Sequence, residues 1–165
     1  MCLALGLAPG AHAQSEDQIK AAFLFNFARY VEWPEDAFES PESAIRICLV
    51  GSRAFAGVVE GIVSGKSVGT RSVEVRRGDD LSAVDGCHIL FVGSDLATNP
   101  GSVADRVSTA SVLTVADQEG FASGGGMANF IRAESKVRFE INPGAAEKAG
   151  LKISSRLLRL AKVVE

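Results

Sequence analysis

The N-terminal part of the chain carries an apolar pattern with helical spacing. Ser15 followed by Gln18 is typical of a capping box, and it predicts a helix that runs to about Val31. Apolar side chains recur along one stripe of this helix, at Ile19, Phe23, Phe27 and Tyr30. Its other faces are apolar too, so the helix must be covered on most sides, by its own domain or by a partner.

Short apolar runs alternate with helical patterns along the middle of the chain. The runs predict four strands, at residues 45–50, 72–76, 87–92 and 111–115. The spacing between them predicts helices at residues 54–63 and 103–107. This alternation indicates a Rossmann-like α/β fold, with a mainly parallel sheet and helices on both faces. In a doubly wound sheet of this kind we expect the strand order 2-1-3-4.

The pattern changes after residue 117. Consecutive glycines at residues 124–126 indicate a flexible turn, and residues 127–132 and 136–141 then alternate, which predicts a C-terminal antiparallel hairpin. A short helix is expected at residues 142–150. An amphipathic helix is expected at residues 154–164, with four side chains facing inward: Leu157, Leu158, Leu160 and Ala161. No repeat or long linker divides the chain, so residues 14–165 are expected to form one domain.

The first thirteen residues are uncharged and end in a pattern that signal peptidase reads. The stretch closes on Ala11-His12-Ala13, a small residue on either side of His12. We predict that residues 1–13 are the remnant of a signal peptide and that the protein is exported to the periplasm. Cleavage after Ala13 would leave two cysteines and one histidine in the mature chain.

Composition narrows the possible classes of protein. Hydrophobic residues make up 47% of the 165 and charged residues 22%, which is typical of a globular protein. Seventeen basic residues against 20 acidic ones give a net charge of −3, so we expect no nucleic-acid partner. No apolar run is long enough to span a bilayer, so membrane insertion is not expected either.

Candidate sites for chemistry are sparse. Gly51 and Gly93 follow predicted strands, but neither begins a dinucleotide or Walker motif, so tight turns are the favoured interpretation. A small ligand bound near these two glycines is the alternative. Cys87 and His88 are adjacent on a predicted strand, where neighbouring side chains point to opposite faces and cannot converge on one ion. We therefore expect no catalytic residue, no metal site and no cofactor.

The two remaining cysteines are better interpreted as a pair. Cys48 lies in the first predicted strand and Cys87 begins the third, and these strands are neighbours in the expected order. Adjacent strands lie about 4.8 Å apart, within the roughly 4.4–6.8 Å that a disulfide requires between Cα atoms. The alternative is that the two cysteines are unrelated buried thiols. Export favours the disulfide over this alternative, because disulfides form in oxidising compartments.

Two aromatic residues lie off the regular stripe of the first helix. Phe25 occupies another face, and Trp33 precedes Pro34, which ends the helix. Aromatic side chains are enriched at interface hot spots, so Phe25 and Trp33 are candidates for a partner-binding or self-association surface. Closure of the core where the chain turns is the alternative role for Trp33. Near the C-terminus, a basic stripe is formed by Arg156, Arg159 and Lys162. It is interpreted either as a solvated face or as a partner surface.

Several segments of the chain resemble one family. KAAFLFNFARYVEWPEDAF (residues 20–38) is similar to the opening helix of the YfiR family of exported bacterial proteins. Further segments that resemble the family are IRICLVG (45–51), CHILFVG (87–93), VLTVADQEGFASGGGMANF (112–130), VRFEIN (137–142) and LKISSRLLRLAKVV (151–164). Together they cover nearly all of the chain after residue 13, in order.

The resemblance implies a regulatory role rather than a chemical step. It implies a periplasmic protein that binds and represses an inner-membrane diguanylate cyclase or sensor, and so restrains cyclic-di-GMP signalling and biofilm formation. It also implies a Rossmann-like α/β domain, homodimerisation and no catalytic residues. Cys48 and Cys87 match family positions that pair, whereas a second family pair has no counterpart around residues 122–129. A periplasmic small-molecule receptor is the alternative function.

Overall fold

An eight-stranded sheet forms the centre of the computed structural model, which describes residues 15–96 and 98–165. The predicted signal remnant, residues 1–13, lies outside the described residues. The strands, with two more in a separate small sheet, are β1 (Val31–Glu32), β2 (Ile45–Val50), β3 (Ser67–Val68), β4 (Arg71–Gly78), β5 (Ile89–Val92), β6 (Leu113–Ala116), β7 (Ala128–Ala133), β8 (Lys136–Ile141), β9 (Lys152–Ile153) and β10 (Lys162–Val163). The helices are α1 (Glu16–Tyr30), α2 (Arg53–Val63), α3 (Pro100–Arg106), α4 (Pro143–Lys148) and α5 (Ser155–Leu160).

The large sheet has the strand order β10-β8-β7-β6-β5-β2-β4-β3. Strands β4, β2, β5, β6 and β7 run parallel, which confirms the expected order 2-1-3-4 for the four predicted strands. Strands β7 and β8 form the predicted antiparallel hairpin. The small sheet pairs β1 with β9 in antiparallel orientation. The fold is the mainly parallel α/β architecture that the sequence predicts.

Apolar side chains from alternate strand positions form two clusters, one on each face of the sheet. On β2, Ile47 and Leu49 belong to the first cluster, together with α1 and α2. Cys48 and Val50 belong to the second cluster, which α3 and the segment around Phe121 cover. Helices therefore lie on both faces, because every central strand is buried on both sides.

Helix α1 begins with the predicted capping box. The Ser15 hydroxyl accepts the N–H of Gln18 at 3.1 Å, and the Gln18 side chain accepts the N–H of Ser15 at 3.0 Å. Phe27 is fully buried, with its ring centroid 5.2 Å from that of Phe139 on β8. The buried stripe differs in part from the expected one and consists of Ala21, Leu24, Phe27 and Ala28. Helix α1 packs against both α2 and the sheet, so its buried face is shifted from the predicted stripe toward the side that carries Ala21 and Ala28.

The last predicted helix is shorter than expected. Helix α5 ends at Leu160, and Lys162 and Val163 form β10, which pairs with β8 in parallel. Leu157 is buried as expected, but Leu160 is 66% exposed, so its inward placement was wrong. The physical reason is that residues 162–163 complete backbone hydrogen bonds along β8, and a continued helix could not supply them.

Candidate functional site

The predicted disulfide joins Cys48 to Cys87, with their Cα atoms 5.9 Å apart. Its geometry differs from the expected one, because Cys87 precedes β5 and the residue opposite Cys48 is Leu90. Gly86 adopts a positive φ of 78°, which bends the chain so that Cys87 approaches the middle of β2. The bond therefore connects a central strand to the turn that leads into its neighbour, and both cysteines are buried in the second apolar cluster.

His88 is buried and uses both ring nitrogens within the fold. Its Nδ1 accepts the backbone N–H of Arg46 at 3.0 Å, so the proton lies on Nε2, which donates to the carbonyl of Ala37 at 2.9 Å. Burial lowers the pKa of His88, and the charges of Arg46, Arg71 and Arg76 lower it further, against the hydrogen bond to Ala37. His88 is thus a neutral, packed histidine, as the sequence favours.

Trp33 lies against this histidine. Its indole N–H donates to the carbonyl of His88 at 3.1 Å, and the two rings meet edge to face with centroids 6.3 Å apart. Phe38 stacks on the other side of the histidine ring at 4.4 Å, and the Arg71 guanidinium lies 3.5 Å from the Phe38 centroid. Trp33 is half-buried and helps to fix the turn after α1, while part of its ring faces outward.

Phe25 has different surroundings from Trp33. It is half-buried on α1, and the Lys66 ammonium lies 5.0 Å from its ring centroid, within cation–π range. The Arg29 guanidinium lies 5.9 Å from the same centroid. Phe25, Arg29 and Lys66 thus form a small aromatic and cationic group. Phe25 takes no part in the contacts that join Trp33, His88 and Phe38. The two predicted contact residues, Phe25 and Trp33, therefore belong to separate groups of side chains.

The turns at Gly51 and Gly93 lie side by side at the carboxyl ends of β2 and β5, where α/β proteins commonly bind ligands. The Asp95 carboxylate accepts the Ser52 N–H at 2.9 Å, at the start of α2. A Cβ on Gly51 would lie 2.5 Å from Oδ1 of Asp95, and one on Gly93 would lie 2.2 Å from Oγ of Ser52. The chain's own side chains therefore occupy the crevice between the two glycines.

The Asp95 carboxylate has the position that a bound anion often takes at a helix start. Its pKa is lowered mainly by the hydrogen bond from the Ser52 N–H. Ser52 itself has a positive φ of 47°, which a non-glycine residue rarely adopts. The Asp95 carboxylate also accepts a hydrogen bond from the Ser52 hydroxyl at 3.2 Å, so charged hydrogen bonds join the two turns across the crevice.

A cavity of about 340 Å³ adjoins the crevice on the side of β4. Arg53, Arg77 and Asp79 line it, and these charges are already paired. Arg53 contacts Asp79 at 3.1 Å, and Arg77 contacts Glu60 at 2.7 Å. A charged ligand would therefore have to compete with ion pairs that the chain makes by itself.

A larger groove of about 740 Å³ lies between α3, α4 and the C-terminal segment. Its lining includes Val107, Met127, Ala145, Lys148 and Val163. The sequence pattern does not reveal this groove, because its walls come from segments that are distant along the chain. No periodic or motif signal marks such a surface.

A polar network at the end of β6 was also missed. The N–H of Gln118 donates to Oδ1 of the buried Asn129 at 3.0 Å, and Lys20 contacts Asp117 at 3.3 Å. One side-chain atom each of Asp117 and Asn129 is buried without a hydrogen-bond partner in the described part of the chain. The segment stood out in the sequence only as part of the family resemblance. Its polar contacts join α1 to the ends of β6 and β7.

Within residues 15–96 and 98–165, no group of three His, Cys, Asp or Glu side chains is arranged to hold a metal ion. Within the same residues, no helix combines the length and apolar character that crossing a bilayer requires. The geometry offers surfaces, a closed crevice and a groove rather than a set of reactive groups.

Comparisons with solved structures agree with the α/β fold. A Streptococcus pneumonia "ABC domain in complex with L-Trp" has a TM-score of 0.55 and 12% identity, and the match covers 91% of this chain and 60% of that one. A conserved domain protein from Vibrio cholerae O1 biovar El Tor has a TM-score of 0.56 and 12% identity, with 92% and 60% coverage. This chain thus spans less than two thirds of either solved chain.

Comparison at the level of families is more specific. No curated protein matches the chain. The sequence profile described as YfiR/HmsC-like matches residues 17–162. That range includes α1 except its first residue, the disulfide, the turn at residues 124–126 and all strands of the large sheet except the last residue of β10. The chain therefore belongs to the YfiR/HmsC-like family.

Proposed function

We propose that this protein represses a membrane-bound diguanylate cyclase or sensor by binding its periplasmic domain, thereby restraining cyclic-di-GMP signalling. The observation that carries the proposal is the family match over residues 17–162. The family supports a periplasmic regulator of diguanylate cyclase signalling rather than an enzyme. A rigid, disulfide-linked scaffold without a cluster of reactive groups in its described part is consistent with such a binding role.

The partner surface that we propose has Phe25 at its centre. Arg29 and Lys66 lie over its ring, so this side of α1 presents a half-buried aromatic side chain beside two cations. A partner segment with an apolar side chain next to a carboxylate would fit both features. Aromatic and arginine side chains are also the commonest anchors of interfaces.

Trp33 is the second proposed contact residue. Its indole N–H is used inside the fold, so only the outward part of the ring remains for a partner. Its contribution should therefore be smaller than that of Phe25. Self-association is an alternative use of Phe25 or Trp33, with a second copy of the chain as the occupant.

The alternative function, a small-molecule receptor, would use the crevice at Gly51 and Gly93. A ligand there would have to displace the Asp95 carboxylate from Ser52 or bind above it. L-Trp, which one structurally similar protein holds, is a suitable first probe. Thermal stabilisation by a small metabolite, without any effect on a cyclase, would favour this alternative over repression.

The decisive experiment measures binding and cyclase output together. The periplasmic domain of a candidate cyclase, chosen from genes neighbouring this one, is titrated with wild-type protein and with Phe25→Ala. Cellular cyclic-di-GMP is measured in strains that express the cyclase with each variant. Phe25 packs in part against the core, so we expect Phe25→Ala to lower the melting temperature less than Phe23→Ala does, to weaken binding about 30-fold (about 2 kcal/mol) and to raise cyclic-di-GMP.

Phe23→Ala is the matched control, because the Phe23 ring packs 5.0 Å from Phe139 in the core. It should lower stability while the folded fraction binds normally. If Phe25→Ala and Phe23→Ala lose stability alike and the folded fraction of each binds normally, the proposed surface is wrong. If wild-type protein changes neither binding nor cyclic-di-GMP for any neighbouring cyclase, the repressor function itself is wrong. Sedimentation of the same variants tests self-association.

A further inference from the structure

Charge is distributed unevenly along the chain. Residues 148–164 contain five Lys and Arg and no Asp or Glu. Residues 1–131 contain nine basic and sixteen acidic residues. A protein whose net charge is negative therefore has a positive C-terminal segment.

Most cations of that segment have no ion-pair partner in the described part of the chain. Lys162 contacts Glu140 at 3.7 Å, but no acidic group lies within 4 Å of Arg156 or Arg159 there. Several cations in other parts of the chain do form ion pairs. Lys20 and Arg77, for example, pair with carboxylates. The positive charge near the C-terminus is thus available to an external partner.

Two apolar side chains project from the same segment. Leu160 is 66% exposed and Val163 is 53% exposed, and they are the exposed large hydrophobic side chains of the described residues. Leu160 shares the outer side of α5 with Arg156 and Arg159, and Val163 follows directly in β10. Lys162 points to the other face of β10, toward Glu140, so we call the surface formed by Arg156, Arg159, Leu160 and Val163 the basic apolar patch.

This combination is the one that peripheral membrane surfaces use. Cations near a bilayer are attracted by anionic headgroups, and adjacent apolar side chains enter the interfacial region. The two arginines of the patch lie on α5, and Lys148 and Lys152 add positive charge to the same segment, which suits a diffuse anionic surface.

We propose that the basic apolar patch docks on a bilayer that contains anionic phospholipid. The inference goes beyond the proposed function, since it concerns lipid and requires no cyclase. Its effect would be to hold the protein at the membrane surface, where an integral-membrane partner is found.

Vesicle co-sedimentation tests the proposal directly. The protein is mixed with vesicles of phosphatidylcholine alone or of phosphatidylcholine with phosphatidylglycerol. We expect binding to the anionic vesicles only, and its loss near 1 M salt, where the Debye length is about 3 Å. Each cation near the surface contributes roughly a fivefold gain in partitioning, so Arg156→Gln with Arg159→Gln should weaken binding about 25-fold. Leu160→Ser with Val163→Ser should weaken it further.

A matched control replaces two exposed arginines elsewhere, Arg53→Gln with Arg76→Gln, and should bind like wild type. The melting temperature of each variant checks folding. Equal binding to neutral and anionic vesicles, no binding to either, or an equal loss in the control would overturn the proposal. So would binding to an acidic polypeptide such as polyglutamate without binding to vesicles, since the patch would then be a protein-docking surface. Because the vesicles hold no cyclase, failure here leaves the repressor function to its own test.

Discussion

The indole N–H of Trp33 and the carbonyl of His88 form a hydrogen bond of 3.1 Å between residues that are 55 positions apart. The contact fixes the turn after α1 to the start of β5. It also explains why Trp33 is half-buried rather than fully available at the surface. The same residue can therefore affect folding and partner binding, and the two effects have to be separated by the choice of substitution.

Trp33→Phe should separate them. The phenyl ring keeps most of the apolar contact but loses the indole donor, which leaves the carbonyl of His88 without this bond. We expect a loss of about 1 kcal/mol in the free energy of unfolding, measured by urea denaturation, and near-normal affinity for the partner. Trp33→Ala should lower both quantities. Normal stability of Trp33→Phe would contradict the structural role.

The neutral state of His88 predicts a pH dependence of stability. The native pKa lies below the ordinary value of 6.5, so above that value both states are neutral and the full stability is present. As the pH falls below 6.5, the unfolded chain binds a proton that the native protein resists, and stability is lost as the pH approaches the native pKa. Melting temperatures should therefore fall more steeply below neutral pH for wild type than for His88→Asn.

Asn can replace the acceptor at Nδ1 without titrating, which makes His88→Asn the suitable comparison. Carboxylates such as Glu16 and Asp95, whose pKa values are lowered, affect stability only at more acidic pH. Parallel curves for wild type and His88→Asn between neutral and mildly acidic pH would contradict the prediction.

The disulfide should contribute a large part of the stability. Cys48 and Cys87 are 39 positions apart, and closing a loop of this size stabilises by about 4 kcal/mol in the chain-entropy model. We expect the double variant Cys48→Ser, Cys87→Ser to lose about this amount, measured by denaturation of the chain that begins at residue 14. A reductant should lower wild-type stability and leave the variant unchanged. Two alkylatable thiols in unreduced periplasmic protein would refute the bond.

The turn at residues 124–126 predicts that one added methyl group, in Gly126→Ala, lowers the free energy of unfolding. A Cβ on Gly126 would lie 2.2 Å from the ring of Phe121, which is buried beneath the turn. Gly126→Ala should therefore cost about 1–3 kcal/mol through overpacking. Gly61→Ala on α2 is the control, since a Cβ there meets nothing within 4 Å and should be neutral or stabilising. Equal stability of the two variants would contradict this close approach.

Local patterns in the sequence predicted most of the fold. Ser15 and Gln18 indicated the start of α1, and continuous apolar runs indicated β2 and β5, because both signals depend only on neighbouring residues. The end of α5 was placed wrongly. Its leucines have helical spacing, but the pairing of Val163 with β8 depends on a strand more than twenty residues earlier.

The candidate site was harder to predict from the sequence, because its contacts also join residues that are distant along the chain. The sequence indicated the pairing of Cys48 with Cys87, because the strand order could be anticipated. It gave no sign that Asp95 would close the crevice beside Gly51, since that contact joins two turns 43 positions apart. The glycines at 124–126 are expected from the sequence to form a flexible turn, whereas the structure packs the last of them, Gly126, closely against Phe121.

The two edges of the large sheet have a consequence for contacts between copies of the folded chain. Strands β3 and β10, which form those edges, are only two residues long each. Long bare edges recruit other chains into cross-β aggregates, and short edges with a lysine discourage this. Each of β3 and β10 covers only two residues of its neighbour, so within the described residues most of β4 and β8 has no strand partner on its outer side, and charged side chains such as Arg76 and Lys136 are left to oppose edge-to-edge pairing.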